Sequence, residues 1–261
     1  MNHMNIKLET LGISPIVTQL IRLADDHLIL GHRLSEWCGH APMLEEDLAM
    51  PNIALDLIGQ ARALYTYAGE IENEGRDEDA IAYNRIEREY TNLLMCERTN
   101  GDFAHTMLRQ LFFSLFMQKY WHASMSSTDD TISAIAGKAV KESEYHIRHS
   151  AEWVIRLGDG TDESASRTVT ALEQLTPYVS EFFEIDAVTQ DNASKAILPD
   201  PASFESDWLL DINKILSQAN VTLGDYRCGH TGGRSGRHTE AMGYLLTELQ
   251  FIQRSYPNLQ W

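Results

Sequence analysis

Apolar residues recur at three- and four-residue intervals along nearly the whole chain, and alternating runs bounded by turn residues are hard to find. That periodicity predicts helices throughout and an all-α fold. Val17, Leu20, Ile21, Ala24 and Leu28 form one stripe behind Ser14-Pro15, a good cap and first-turn pair, so a first helix is expected over 15–37. Turn residues at 39–42 precede a second helix over 44–72, with Pro51 either kinking it or starting it, and residues 75–79 break it. A short helical stretch is expected over 86–95. Asn100-Gly101-Asp102 then reads as a helix start with Asp102 as cap, opening a long helix over 103–125. Further helices are expected over 131–157 and over 163–183, the latter bent at Pro177, then a loop over 187–202 and helices over 204–217 and 239–256.

Four of these helices reach about 23 residues or more, roughly 35 Å each, and long helices with short connections make a bundle. Neither a fixed-period repeat nor a linker divides the chain, so a single domain is expected: a bundle over about 14–185 and a C-terminal extension over about 186–261.

The chain has 261 residues with 38 acidic against 21 basic side chains, a formal charge of -17. Such a field repels phosphate backbones and anionic headgroups, which argues against nucleic acid and membrane partners. The three cysteines, Cys38, Cys96 and Cys228, are far apart and fit a reducing compartment, so a cytoplasmic protein is expected. Residues 1–10 are polar and lack the build of a signal peptide, and the apolar run over 111–117 is far short of the roughly 18 residues of a membrane helix.

In a helical bundle, chemistry sits on inward polar side chains, and Glu-x-x-His is the element that holds a carboxylate-bridged metal pair. No Glu-x-x-His occurs; the nearest matches are Asp102-x-x-His105, at a helix start, and the reversed His149-x-x-Glu152. Asn52, Asp56 and Gln60 share a helix face, which makes Asp56 a candidate buried carboxylate, but Gly59 stands where a histidine ligand belongs. Glu142, Tyr145, His146, His149 and Trp153 share one face of a later helix, opposite Ile132, Ala136, Val140, Ile147, Ala151 and Val154. A hydrogen-bonded or salt-bridged stripe explains the first face better than a metal site. Glu36 is a candidate ligand and equally a partner for Arg33; His27, His32 and His122 are similar cases.

One basic patch interrupts the acidic chain, a glycine-rich segment over 226–238 with Arg227, Arg234, Arg237, His230 and His238 just ahead of the last helix. The segment admits two readings. Free N–H groups at a helix start beside guanidinium groups make an anion site, for a phosphate group or an acidic surface. Alternatively, it is a structured turn whose arginines pair with the chain's own carboxylates.

The runs RLSEWCGHAP (33–42), NIALDLIGQAR (52–62), KESEYHIRHS (141–150) and TGGRSGRHTE (231–240) resemble the structural-subunit family, PaaC, of the bacterial phenylacetyl-CoA 1,2-epoxidase, the multicomponent oxygenase of aerobic phenylacetate breakdown. The resemblance covers nearly the whole chain. It implies a ferritin-like bundle related to the di-iron catalytic subunit, PaaA, but acting as its non-catalytic partner with no cofactor of its own. The implied complex adds a small subunit, PaaB, and a reductase with FAD and an iron-sulfur cluster that draws electrons from NADPH. Glu36, Asp56, Glu142 and His146 would be vestiges of a metal core, and Arg227, Arg234, Arg237 and His238 candidates for anion or CoA-phosphate binding. A scaffold of this kind should expose an apolar helix face and self-associate when alone. Two other readings stay open, a di-iron oxygenase with atypical ligands and a CoA-gripping accessory subunit.

Overall fold

The computed structural model describes residues 14–227 and 229–256; the readings made on residues 1–10 and on Cys228 lie outside them. Among the described residues there are eleven α-helices and no strand. The four long ones are α1 (Pro15–Ser35), α2 (Leu44–Glu72), α5 (Phe103–Ser124) and α6 (Asp130–Gly158). Helices α1 and α2 pack together across a short connection, as do α5 and α6. Residues 73–102, with α3 (Glu78–Tyr83) and α4 (Leu94–Glu97), cross between the two hairpins. Two antiparallel pairs joined by one long crossover are the ferritin-like arrangement. The remaining helices, α7 (Asp162–Leu175), α8 (Ala187–Ser194), α9 (Glu205–Gln218), α10 (Glu240–Leu249) and α11 (Phe251–Ser255), wrap this bundle.

The caps explain most of these boundaries. Pro15 occupies the first turn of α1, the Asp102 carboxylate accepts from His105 N at 2.9 Å, and Asp129 accepts from Thr131 N and Ile132 N at 3.0 Å. Pro51 does not start α2, which runs through it. Where α1 and α2 approach, a Cβ on Gly31 would lie 2.9 Å from Ile58 Cγ1 and 3.2 Å from the Ala54 carbonyl. Helix α5 is buried on nearly all sides, and Trp208 of α9 locks onto it by donating from Nε1 to the Phe112 carbonyl at 3.1 Å.

Four sequence expectations are corrected. The stretch 86–95 is not one helix: a single 3-10 turn at Glu87–Glu89 is followed by extended chain up to α4. Its backbone donors go to carboxylates of α1, Thr91 N to Asp25 at 2.7 Å and Leu93 N to Asp26 at 2.6 Å. The helix expected over 163–183 ends at Leu175, since Pro177 has no N–H to continue it, and two 3-10 turns follow. Residues 187–202 are not all loop, for the Asp186 carboxylate accepts from Val188 N and Thr189 N and caps α8. The last helix breaks at Gln250, whose side-chain NH2 donates to Arg85 O and Tyr90 Oη, each at 2.8 Å.

Helix α6 buries a seam that mixes the two faces, Ile132, Ala136 and Val154 from the apolar set and His146 from the polar one, with Ala139, Ser143 and Ser150 between them. Its alanines and serines let α5 come close. Among the described residues, no helix is long and apolar enough to cross a membrane.

Candidate functional site

The polar interior falls into two groups on either side of the sequence Asp25-Asp26-His27. The first lies where α2 and α6 meet. His146, buried, is hydrogen-bonded to Asp56 at 3.0 Å between Nε2 and Oδ2, and Gln60 Nε2 donates to Glu142 Oε2 at 2.8 Å. Lys138 also reaches Glu142 at 3.4 Å, and His149 Nε2 meets Glu46 at 2.8 Å.

His27 of α1 is fully buried between Phe113 and Trp121, with ring centroids at 5.2 and 5.6 Å. Its Nδ1 donates to the Leu23 carbonyl at 2.6 Å, which fixes the tautomer and leaves Nε2 a bare acceptor without a partner. Burial pushes its pKa down to about 4, helped by the charges of His146 and Arg234.

A carboxylate-bridged metal pair needs carboxylates from several helices turned to one point. Here Asp56 is spent on His146 and Glu142 on Gln60 and Lys138. Helix α5 contains no acidic residue, and its inward Gln110 donates to Ser114 at 2.9 Å. Glu36 stands about nine residues beyond His27 along α1, roughly 14 Å away, bonded to Arg33 at 2.7 Å and Asn100 at 3.0 Å. Of the four residues singled out in the sequence, Asp56, Glu142 and His146 therefore come together and Glu36 does not. Among the described residues no three His, Cys, Asp or Glu side chains gather as a metal site. The donors present do not fit a di-iron centre.

The second group joins α1 to the crossover and to the glycine-rich segment. Asp25 receives Arg85 Nη1 at 3.0 Å, the Tyr65 hydroxyl at 2.5 Å, and Thr91 N. Asp26 receives both Nη atoms of Arg234, at 3.0 and 2.8 Å. Against the pull of burial, this carboxylate raises the guanidinium pKa. Glu181 accepts from Leu94 N at 2.6 Å, Gly232 N at 2.9 Å and Gly233 N at 2.8 Å; burial still lifts it to about 7.

Glu97 accepts from Asn92 at 2.9 Å, from His238 Nδ1 at 2.7 Å and from Thr239 N at 2.5 Å. The other nitrogen of His238 faces the Tyr90 carbonyl at 2.9 Å. With an acceptor on each nitrogen, His238 is the imidazolium; burial opposes that charge, but Glu97 and Tyr90 outweigh it and raise the pKa.

The glycines allow backbone to press on backbone. A Cβ on Gly233 would lie 2.1 Å from the Asn92 carbonyl, and Gly236, at φ +70°, passes the Arg88 carbonyl as closely. The four basic candidates do not converge: Arg234 and His238 turn inward onto Asp26 and Glu97, while Arg227 and Arg237 are exposed. The start of α10 also holds an anion already, the chain's own Glu97 on Thr239 N. Sequence reasoning missed Asp25, Asp26, Arg85, Glu97 and Glu181. The one local signal was an acidic pair inside the apolar run LIRLADDHLIL of α1.

The family described as "Phenylacetic acid catabolic protein" matches residues 7–261. The chain is 40% identical over 249 residues to the C component of the 1,2-phenylacetyl-CoA epoxidase of Escherichia coli (strain K12), covering 95% of this chain and 100% of that protein.

Proposed function

The chain belongs to the phenylacetic acid catabolic protein family, and from that premise we propose that it is the non-catalytic structural subunit of a cytoplasmic phenylacetyl-CoA epoxidase, binding and stabilising the di-iron subunit PaaA. Epoxidation of the aromatic ring is assigned to PaaA, with PaaB and an NADPH-dependent reductase, carrying FAD and an iron-sulfur cluster, completing the complex. One observation carries this reading: the carboxylates Asp56 and Glu142 are taken up by His146 and by Gln60 and Lys138, respectively, rather than left open to a metal. The chain acts as one domain, its bundle over 14–185 tied to residues 186–261 by the Arg234–Asp26 and His238–Glu97 pairs. An anion-holding role for the glycine-rich segment narrows to the exposed Arg227 and Arg237.

Helix α2 supplies a surface for the partner. Leu44, Leu48 and Leu55 lie on one face of it, 71%, 60% and 66% exposed. Co-expression with PaaA, read by size-exclusion chromatography and turnover with the reductase, tests the proposal. The chain is expected to co-elute with PaaA, to be required for turnover, and to lose PaaA when Leu48 and Leu55 are both changed to Asp. PaaA that is stable and fully active without the chain contradicts it.

A further inference from the structure

Helices α10 and α11 turn a row of large apolar side chains away from the bundle. Tyr244 is 70% exposed, Phe251 61%, Tyr256 57% and Ile252 48%, and Ile86 of the crossover, at 57%, stands beside Phe251. The break at Gln250 does not divide this row, because Gln250 N still donates to the Leu246 carbonyl and Arg254 N to the Gln250 carbonyl, each at 3.0 Å. Residues 244, 247, 248, 251 and 255 therefore share one outward face, at the spacing of neighbours on a helix surface. The exposed apolar area comes to roughly 500 Å², a patch size that in soluble proteins often marks an interaction site.

One edge of this face is hollow and the other is raised. Between the helix and residues 86–87 lies a groove of about 360 Å³, walled by Ile86, Leu246, Phe251 and Arg254, where Gly243 has no side chain to fill it. At about 100° per residue, Arg254 falls on the groove edge of Phe251, while Glu248 and Ile252 fall on the opposite edge. Among the described residues the Glu248 carboxylate has no ion pair, and Arg254 spends one nitrogen on the Arg85 carbonyl at 3.1 Å. The face thus carries a hole, a knob and two charges of opposite sign.

These features complement themselves. A two-fold axis through Phe251, perpendicular to the helix, sets each residue of one copy against the residue equally far beyond Phe251 in the other. Phe251 then meets the partner's Phe251, Glu248 faces the partner's Arg254, and Thr247 faces the partner's Ser255. The same axis exchanges the two edges, so Ile252 of each copy enters the groove of the other. We infer that α10 and α11 form an isologous contact between two copies of this chain, centred on Phe251. The apolar face with its polar margin approaches the roughly 800 Å² per partner of a standard interface, enough for a dimer of micromolar affinity. The contact lies on other helices than the α2 leucines assigned to PaaA, and it stands or falls without that assignment.

Sedimentation equilibrium of the full chain without PaaA reads the contact directly. A reversible dimer with a dissociation constant in the micromolar range is expected. Phe251→Asp and Glu248→Arg should each weaken it by about tenfold or more, the first by placing two carboxylates on the axis and the second by setting guanidinium groups face to face. Both positions are exposed, so the unfolding midpoint of the chain should hardly move. Adding Arg254→Glu to Glu248→Arg exchanges the charges and should return the constant to within about threefold of the parent, a recovery that a folding defect would not show. The chain with Leu48→Asp and Leu55→Asp should remain a dimer. A chain that stays monomeric throughout, whether residues 257–261 or another protein takes the groove, overturns the assignment. So does a dimer that Phe251→Asp leaves intact, that the Leu48 and Leu55 changes dissolve, or that the exchanged charges fail to restore.

Discussion

His27 shows how burial sets chemistry at a single position. Its imidazole donates one proton to Leu23 and its Nε2 has no acceptor for a second, so it stays neutral, with its pKa pushed to about 4 by burial. Burial holds His32 and His105 at about 4 as well, with Arg109 and Arg98 adding to the effect at His105. In each case the folded pKa lies below the unfolded 6.5, so the stability is present above about pH 6.5 and drains away as pH falls through 4. For His27 that amounts to about 3 kcal/mol. Denaturant unfolding between pH 7 and 4 should show a steep loss for the unmodified chain and, in His27→Gln, a slope smaller by about one proton; equal slopes would show that His27 is not the buried neutral group described. Asp56, Glu142 and His146 could be singled out from the sequence because each stands on a long helix whose faces can be counted. The direction taken by Arg234 and His238 could not, because their partners Asp26 and Glu97 lie more than 140 residues away.

Helices were legible wherever their ends are decided locally. Asp102 and Asp129 cap α5 and α6 from the adjacent residue, and those helices appear where the pattern puts them. The crossover was not legible, because carboxylates of α1 take the backbone N–H groups of Thr91 and Leu93 that a helix over 86–95 would have used. The buried seam of α6 was legible only in part: Ile132, Ala136, Val154 and His146 stood out, but Ser143 and Ser150 between them carry no hydropathy signal that turns them inward. The glycine-rich segment depends on close approach rather than on a turn signal. Gly233→Ala would drive a methyl into the Asn92 carbonyl and push Gly232 and Gly233 N–H away from Glu181. A loss of about 3 kcal/mol in urea unfolding is expected, with earlier proteolysis of residues 226–238. A variant as stable as the parent would show that this contact is slack.

At the scale of the whole molecule, the all-α bundle and its long helices follow from apolar spacing, while the ferritin-like pairing and the complex around it follow from the resemblance. The proposed scaffold role rests on what occupies the interior of this bundle. Pairs drawn from its own helices, Asp56 with His146 and Gln60 with Glu142, fill the interior that a metal pair would otherwise organise, and Asp25 and Asp26 tie α1 to the crossover and the C-terminal segment. The most direct test is the iron content of this chain, expressed alone in iron-supplemented cells and purified without chelators. The account predicts iron near zero in a folded chain that still binds PaaA. About two irons per chain, lost on Asp56→Asn or Glu142→Gln, would contradict it and make this chain a metal-bearing subunit in its own right.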